Sequence, residues 1–227
     1  MQPQEPLTVA LEPAPLECWD DESTASALRA LAVRLHSTGL SLRETAAALE
    51  QFGVVRSHQA VFQWVHRVAD EVPDPPTASP SRVAVDETAI TIGTDRYWVY
   101  AAIDLETKLL LDVSVSRGRG TDPAAAFLGQ LAEKHDVSET TFLVDGMGYS
   151  TALARCDLSG HLDYVMRNLI EKWFQTLSMR IDRFHQTWMG GRASAARWLT
   201  AFRYYYNMQR PNQALDNRTP AEEVMKS

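Results

Sequence analysis

Cysteine is nearly absent from this sequence. Cys18 and Cys156 are the only two in 227 residues, which excludes a disulfide framework and a cysteine-based zinc site. No apolar run approaches the roughly 18 residues of a membrane span. The first 22 residues, MQPQEPLTVALEPAPLECWDDE, contain no base, so they do not read as a secretory signal. These absences predict a cytoplasmic protein with no membrane association. Lysine is also scarce, at 4 of 22 basic residues. What remains is ordinary: 45% hydrophobic and 22% charged residues, enough for a packed core and too apolar for wholesale disorder. The length suits one domain, or a small and a medium one.

The net charge of −7 conceals a polarity. Residues 1–22 carry 6 acids, residues 23–80 balance at 5 of each sign, and residues 81–164 carry 7 bases against 13 acids. Residues 165–227 reverse the sign, with 10 bases and 5 acids. An acidic total argues against a nucleic-acid binder, because phosphate contacts dominate affinity; the basic C-terminal quarter argues for one. Acid excess with arginine in place of lysine would suit a salt-rich cytoplasm.

The chain divides at residues 72–81, VPDPPTASPS, where Pro73, Pro75, Pro76 and Pro80 exclude a helix and predict a stiff linker. Residues 1–22 read as an acidic, disordered tail. Residues 23–71 have helical periodicity. Apolar Leu28, Leu31, Ala32 and Leu35 precede Gly39, Ser41-Leu-Arg-Glu44 is a capping box, and Ser57 caps a third helix striped with Val61, Trp64, Val65 and Val68. The second and third helices, joined by a turn containing Gly53, predict a helix–turn–helix. From residue 82 to 227 the period changes. Runs 82–92, 97–105 and 109–116 predict an antiparallel meander. A helix from Asp122-Pro123 to His135, a strand at 140–144, a helix at 150–156, a strand at 161–166 and a long amphipathic helix follow, then a last helix at 193–206. This order predicts an α/β domain: an RNase H-like mixed five-stranded sheet with flanking helices, preceded by the all-α helix–turn–helix unit.

Three carboxylates stand out. Asp86 sits inside a strand-like run, where aspartate is disfavoured; alone it could be an edge charge facing water. Asp145 ends the apolar run Phe142-Leu-Val and could be an ordinary Asp-Gly turn. Glu171 could belong to a capping box begun by Asn168. In an RNase H-like sheet, however, the first and fourth strands are neighbours, and a helix after the fifth can bring its first turn beside their ends. Converging carboxylates repel unless a cation neutralises them. Oxygen donors without a Cys or His cluster favour Mg²⁺ or Mn²⁺. Two such ions per site can clamp the attacking and leaving oxygens of a phosphodiester.

The basic residues fit a phosphate-bearing partner. Arg167, Lys172, Arg180 and Arg183 surround Glu171 in sequence, and Arg192, Arg197, Arg203 and Arg210 follow. They read as a phosphate-tracking surface, against the alternative of a solvated helix face with local ion pairs. In the helix–turn–helix, Ser57, His58, Gln59, Phe62 and Gln63 should be exposed. Gln pairs bidentately with adenine and Ser or His reaches bases or phosphates, while Arg56 lies where phosphate contacts are common. The alternative is a helical hairpin that only packs on the second domain. His135 and His161 read as surface residues, Asp104 and Asp112 as turn or edge charges, and Tyr204–Tyr206 as core and rim.

These motifs resemble a known family. SHQAVFQWVHRV, VAVDET, YWVYAAIDLETKLLL, FLVDG, RNLIEKWFQTLSMRIDRFH and YYNMQRPNQALDNRTP are similar to DDE transposases of the IS-six insertion-sequence family, in its haloarchaeal-type branch. The likeness runs from about residue 25 to the end. It implies that Asp86, Asp145 and Glu171 are the catalytic acids and metal ligands. It also implies Mg²⁺-dependent cleavage at element ends, strand transfer into target DNA and a replicative, cointegrate-forming outcome. The implied partners are double-stranded DNA, as terminal inverted repeats and target, and further copies of the chain in a homodimer or higher multimer. The interval of 25 residues between Asp145 and Glu171 is shorter than is common in the family. An RNase H-like nuclease without strand transfer, or a DNA-binding regulator with an idle site, remains compatible with the residues.

Overall fold

The computed structural model describes residues 23–144, 146–162, 168–182, 187–188 and 190–226. The N-terminal helices are α1 (Ser26–Ser37), α2 (Leu42–Glu50) and α3 (His58–Glu71). The capping box is present: Ser41 Oγ accepts from the Glu44 N–H, and the Glu44 carboxylate accepts from the Ser41 N–H. Gly53, at φ +73°, makes the turn before Ser57 caps α3; its positive φ is available to glycine at little steric cost. Val61, Trp64, Val65 and Val68 are buried as the stripe requires, against Ala32, Val33, Ala46 and Leu49.

The second unit is built on β1 (Arg82–Ile92), β2 (Asp95–Asp104), β3 (Leu110–Ser116), α4 (Thr121–Lys134), β4 (Thr141–Val144), α5 (Met147–Arg155), β5 (Ser159–Leu162), α6 (Asn168–Asp182), β6 (Thr187–Trp188), α7 (Arg192–Tyr204) and α8 (Pro220–Val224). The sheet order is β3-β2-β1-β4-β5, with the first three strands antiparallel and β4 and β5 parallel to β1. This is the predicted RNase H-like arrangement. Among the described residues it gains one unpredicted piece: β6 pairs in parallel with the far end of β1 at Thr91 and Ile92. The fifth strand begins at Ser159, two residues before the expected start, and the expected residues 163–166 lie outside the described ones. Helix α5 begins at Met147, earlier than expected. Helix α6 already includes Asn168, so Asn168 is helical rather than the cap.

Alternation along the strands separates two cores. Ala84, Ile90, Ile92, Val99, Ala101, Ile103 and Leu143 face α6 and α7. Val83, Val85, Tyr100, Ala102, Phe142 and Val144 face α4 and α5. On α6, Ile170, Trp173, Phe174 and Leu177 of the predicted stripe are buried.

The proline-rich segment is docked on the sheet domain. Pro80 C=O accepts from Thr140 Oγ1 at 2.6 Å, Ala78 C=O accepts from the Asp136 N–H, and the Ala78 N–H donates to His135 Nδ1. His135 is therefore buried, contrary to its surface assignment. Asp112 is buried as well: it binds Arg203 at 2.9 Å and Lys134 at 2.9 Å, while Arg203 also reaches Asp74 of the proline-rich segment at 2.7 Å. Asp104 does act as a turn residue, accepting from the N–H groups of Glu106 and Thr107.

Helix α7 continues as a π-helical turn, Tyr205–Gln209. It aims Asn207 at the open edge of β3, where the side chain accepts from the Leu110 N–H and donates to the Leu110 C=O, both at 2.9 Å. Asn207 thus stands in for a neighbouring strand, a physical reason for asparagine in the YYN motif. Thr219 opens α8 through a second capping box with Glu222.

Three expectations follow. Asp112→Ala leaves the buried Arg203 guanidinium with Asp74 alone of its two carboxylates and should cost about 3 kcal/mol of stability in urea denaturation. Asn207→Ala orphans two buried backbone groups and should cost about 1–3 kcal/mol. His36 is buried in α1 with Nδ1 donating to Leu40 C=O at 2.7 Å, and burial depresses its pKa to about 4. The unfolded chain binds this proton below about pH 6.5 and the folded chain does not until about pH 4. Stability should therefore fall as pH drops from about 6.5 to 4, and His36→Gln should flatten that slope.

Candidate active site and nucleic-acid interface

Asp86 lies on β1, a central strand flanked by β2 and β4. The edge-charge alternative is therefore excluded. Its residue is 8% exposed. Alternation places it on the face of Ala84, the face covered by α6 and α7. Its Oδ1 accepts from the Glu87 N–H at 2.8 Å. A carboxylate at this depth needs compensating partners.

The parallel ladder between β1 and β4 runs through Arg82↔Thr141, Val83↔Phe142 and Ala84↔Leu143. Both strands point their C-terminal ends the same way, so β4 ends at Val144 on the side where Asp86 sits. Asp145 itself lies outside the described residues. Glu171 is in the first turn of α6, exposed beside buried Ile170 and Trp173. Helix α6 therefore carries Glu171 over the same sheet face that bears Asp86. Among the described residues, no three His, Cys, Asp or Glu side chains form a metal-binding group. The donor chemistry of Asp86 and Glu171 is oxygen alone, which suits a hard divalent cation.

Lys172 is exposed next to Glu171. Arg167, Arg183 and the side chain of Arg180 lie outside the described residues. Of the later arginines, Arg203 is buried and so is not part of the expected phosphate-tracking surface. Arg203 is buried with Asp112 and Asp74, Arg197 pairs with Asp70 of α3 at 2.8 Å, and Arg192 donates to Val115 C=O at 2.9 Å. Arg210 lies over the Tyr206 ring. Arg192, Arg197 and Arg203 join elements distant in sequence, so local helix-face pairing is not their role; Arg210 over Tyr206, four residues away, is local.

On α3, His58, Gln59 and Gln63 are exposed and Phe62 is half-buried against His66, with ring centroids 3.9 Å apart. Ser57 Oγ accepts from the Ala60 N–H as the helix cap. Arg56 directs its donors to Thr24 Oγ1, Ser23 Oγ and Val55 C=O. The unit is fastened to α7, partly through the C-terminal half of α3. Trp198 Nε1 reaches His36 C=O at 3.5 Å, His66 Nε2 meets Ser194 Oγ at 3.4 Å, and Ala201 joins the apolar core of the helical unit. The helical unit therefore packs on the second unit while Gln59 and Gln63, nearer the start of α3, stay exposed.

Sequence reasoning missed Glu87. Its side chain is 4% exposed and points to the opposite face from Asp86, across from its strand partner Tyr100. It accepts from Tyr149 Oη of α5 and pairs with Arg119 Nε at 2.5 Å. Arg119 in turn lies 4.9 Å above the Trp98 ring. Burial first, and then the Glu87 charge, hold the Tyr149 phenol far above its usual range, so it is a hydrogen-bond donor. Tyr100 Oη accepts from the Gly120 N–H at 3.3 Å. Glu87, Tyr100, Arg119, Gly146, Gly148 and Tyr149 border a cavity of about 290 Å³. The available signal was the acid pair Asp86-Glu87 within one strand: alternation sends its members to opposite cores, so each needs its own partners.

Residues 80–186 match the family model of the DDE domain of the IS240 transposase type. The chain is 28% identical over 184 residues to an uncharacterised protein of Methanocaldococcus jannaschii, covering 79% of this chain and 85% of that one. Solved structures similar to it include the catalytic core domain of BIV integrase, with 11% identity, TM-score 0.47, and coverage of 65% of this chain and 95% of that one. Another is a simian T-cell lymphotropic virus intasome in complex with the PP2A regulatory subunit B56 gamma, with 12% identity, TM-score 0.48 and coverage of 86% and 74%. A third is the HTLV-2 integrase catalytic core domain in complex with magnesium, with 11% identity, TM-score 0.45 and coverage of 64% and 97%.

Proposed function

We propose that this chain, whose residues 80–186 match the DDE-domain model of the IS240 transposase type, cuts DNA at the ends of an insertion sequence and joins them to target DNA. The proposed outcome is replicative, producing a cointegrate. The observation that carries the reading is the burial of Asp86 on a central strand, on the sheet face where the first turn of α6 presents Glu171. The β1–β4 ladder runs to Ala84↔Leu143, two residues before Asp86 on β1. Asp86, Asp145 and Glu171 are the proposed catalytic acids and metal ligands, holding two Mg²⁺ or Mn²⁺ ions.

When bound, such ions supply activation of the attacking hydroxyl and charge neutralisation at the departing 3′-oxygen. The protein's part is placement. Asp86 is fixed by its burial and by the Glu87 N–H. Glu171 is fixed because the apolar stripe of α6 seats the helix on the sheet. Lys172, Arg167, Arg180 and Arg183 are proposed phosphate contacts. His58, Gln59 and Gln63 are proposed readers of the terminal repeat, with Ser57 and Arg56 contacting the backbone at the helix start. The proposed setting is cytoplasmic, with a homodimer or larger assembly on DNA. No helix among the described residues is long and apolar enough to cross a membrane.

The test is a joining assay with a labelled element end, a target plasmid and Mg²⁺ in high salt. Joined product is expected from wild type, with a loss of at least about a hundred-fold in Asp86→Asn and Glu171→Gln. Cleavage without joining would indicate a nuclease; metal-independent binding with neither reaction would indicate a regulator. In a binding titration, Gln59→Ala and Gln63→Ala should each weaken terminal-repeat binding by about 1–3 kcal/mol. Binding to unrelated DNA should hardly change.

A further inference from the structure

Resting on the reading of Asp86 as a metal ligand, we propose that Glu87 and Tyr149 are positioning residues that hold the first turn of α5 against β1 beside the catalytic acid. The argument starts from strand alternation. Asp86 faces α6, and Glu87 faces α4 and α5. A carboxylate 4% exposed on an otherwise apolar face is costly unless its lone pairs are used. Here they are used by the Tyr149 phenol and the Arg119 guanidinium.

The partners lie where position matters. Gly146 precedes α5 and Tyr149 is in its first turn. The chain enters this region from β4, which is tied to β1 through Ala84↔Leu143. It leaves through α5, tied to β1 through Tyr149 and Glu87. The two ties fall on either side of Asp86 along β1, at residues 84 and 87. The second is a polar tie that adds to the apolar packing of Tyr149, Ala152 and Leu153 in the core shared with Val83 and Val85. Arg119 completes the arrangement. It is held between the Glu87 carboxylate and the Trp98 face, and Tyr100 Oη accepts from the Gly120 N–H. The loop between β3 and α4 is thereby closed over the same cavity. None of these groups needs to touch DNA or metal; each acts through the placement of Asp86 on β1 and of the first turn of α5.

The experiment compares Tyr149→Phe, which removes one hydroxyl, with Glu87→Gln, which keeps an acceptor for Tyr149 but removes the charge facing Arg119. Circular dichroism first verifies that both fold. In Tyr149→Phe, hydrogen exchange at amides 146–150 should quicken about ten-fold while exchange in β1 and β2 stays unchanged. The Mg²⁺ concentration for half-maximal joining should rise about ten-fold or more, with end-DNA affinity in chelator unchanged. Glu87→Gln should shift both quantities in the same direction by less. Faster exchange with an unmoved metal requirement would make the contact a structural tether only and overturn the proposal; so would no change in either. If wild type joins nothing, the transposase reading fails, while the exchange comparison still decides whether the tie exists.

Discussion

Strand β1 is hydrogen-bonded along both edges, antiparallel to β2 and parallel to β4, and it takes β6 at its far end. Every other feature of the candidate site depends on that. A strand covered on both faces sends successive side chains into different cores, so two successive acids must each find a separate solution. Asp86 enters the core under α6 and α7, and Glu87 enters the core under α4 and α5. The parallel pairing also brings the end of β4 to the side of Asp86. A parallel neighbour requires a crossover connection, and α4 supplies it. The topology thereby delivers a position that is distant in the chain to the one strand that carries the first acid.

The helical unit is not an independent module on a free tether. Helix α7 packs on the sheet through Trp198, Leu199 and Phe202, and contributes Ala201 to the core of α1–α3. Arg203 binds the sheet at Asp112 and the proline-rich segment at Asp74, and Arg197 binds α3 at Asp70. The exposed glutamine face of α3 is therefore held at a set position relative to the sheet. Under the proposed reading, this sets the spacing between the glutamine residues of α3 and the catalytic acids.

Much of this was legible because it is local. The Ser41–Glu44 box, the turn at Gly53, the Pro123 helix start and the alternation of β1–β3 rest on neighbours within a few residues, and all appear near the expected positions. Strand order followed from element order, since a meander and then alternating helices and strands leaves few topologies. The charges were misread where their partners are remote. Arg203 meets Asp112 across 91 residues and Asp74 across 129, so composition suggested a phosphate surface where there is an interior strut. His135 looked exposed because nothing nearby announces that residues 78–80 cover it. Alternation could have given the face of the overlooked Glu87 but not Tyr149, which arrives from another helix 62 residues away.

The central claim is that Asp86, Asp145 and Glu171 converge on divalent metal. The most direct measurement is an anomalous difference map from crystals of the protein grown with Mn²⁺. The account predicts peaks bridged by Asp86 and Asp145, with Glu171 among the ligands, and their loss in Asp86→Asn. Well-ordered crystals with saturating Mn²⁺ and no peak at Asp86, or a peak that Glu171 does not approach, would contradict it.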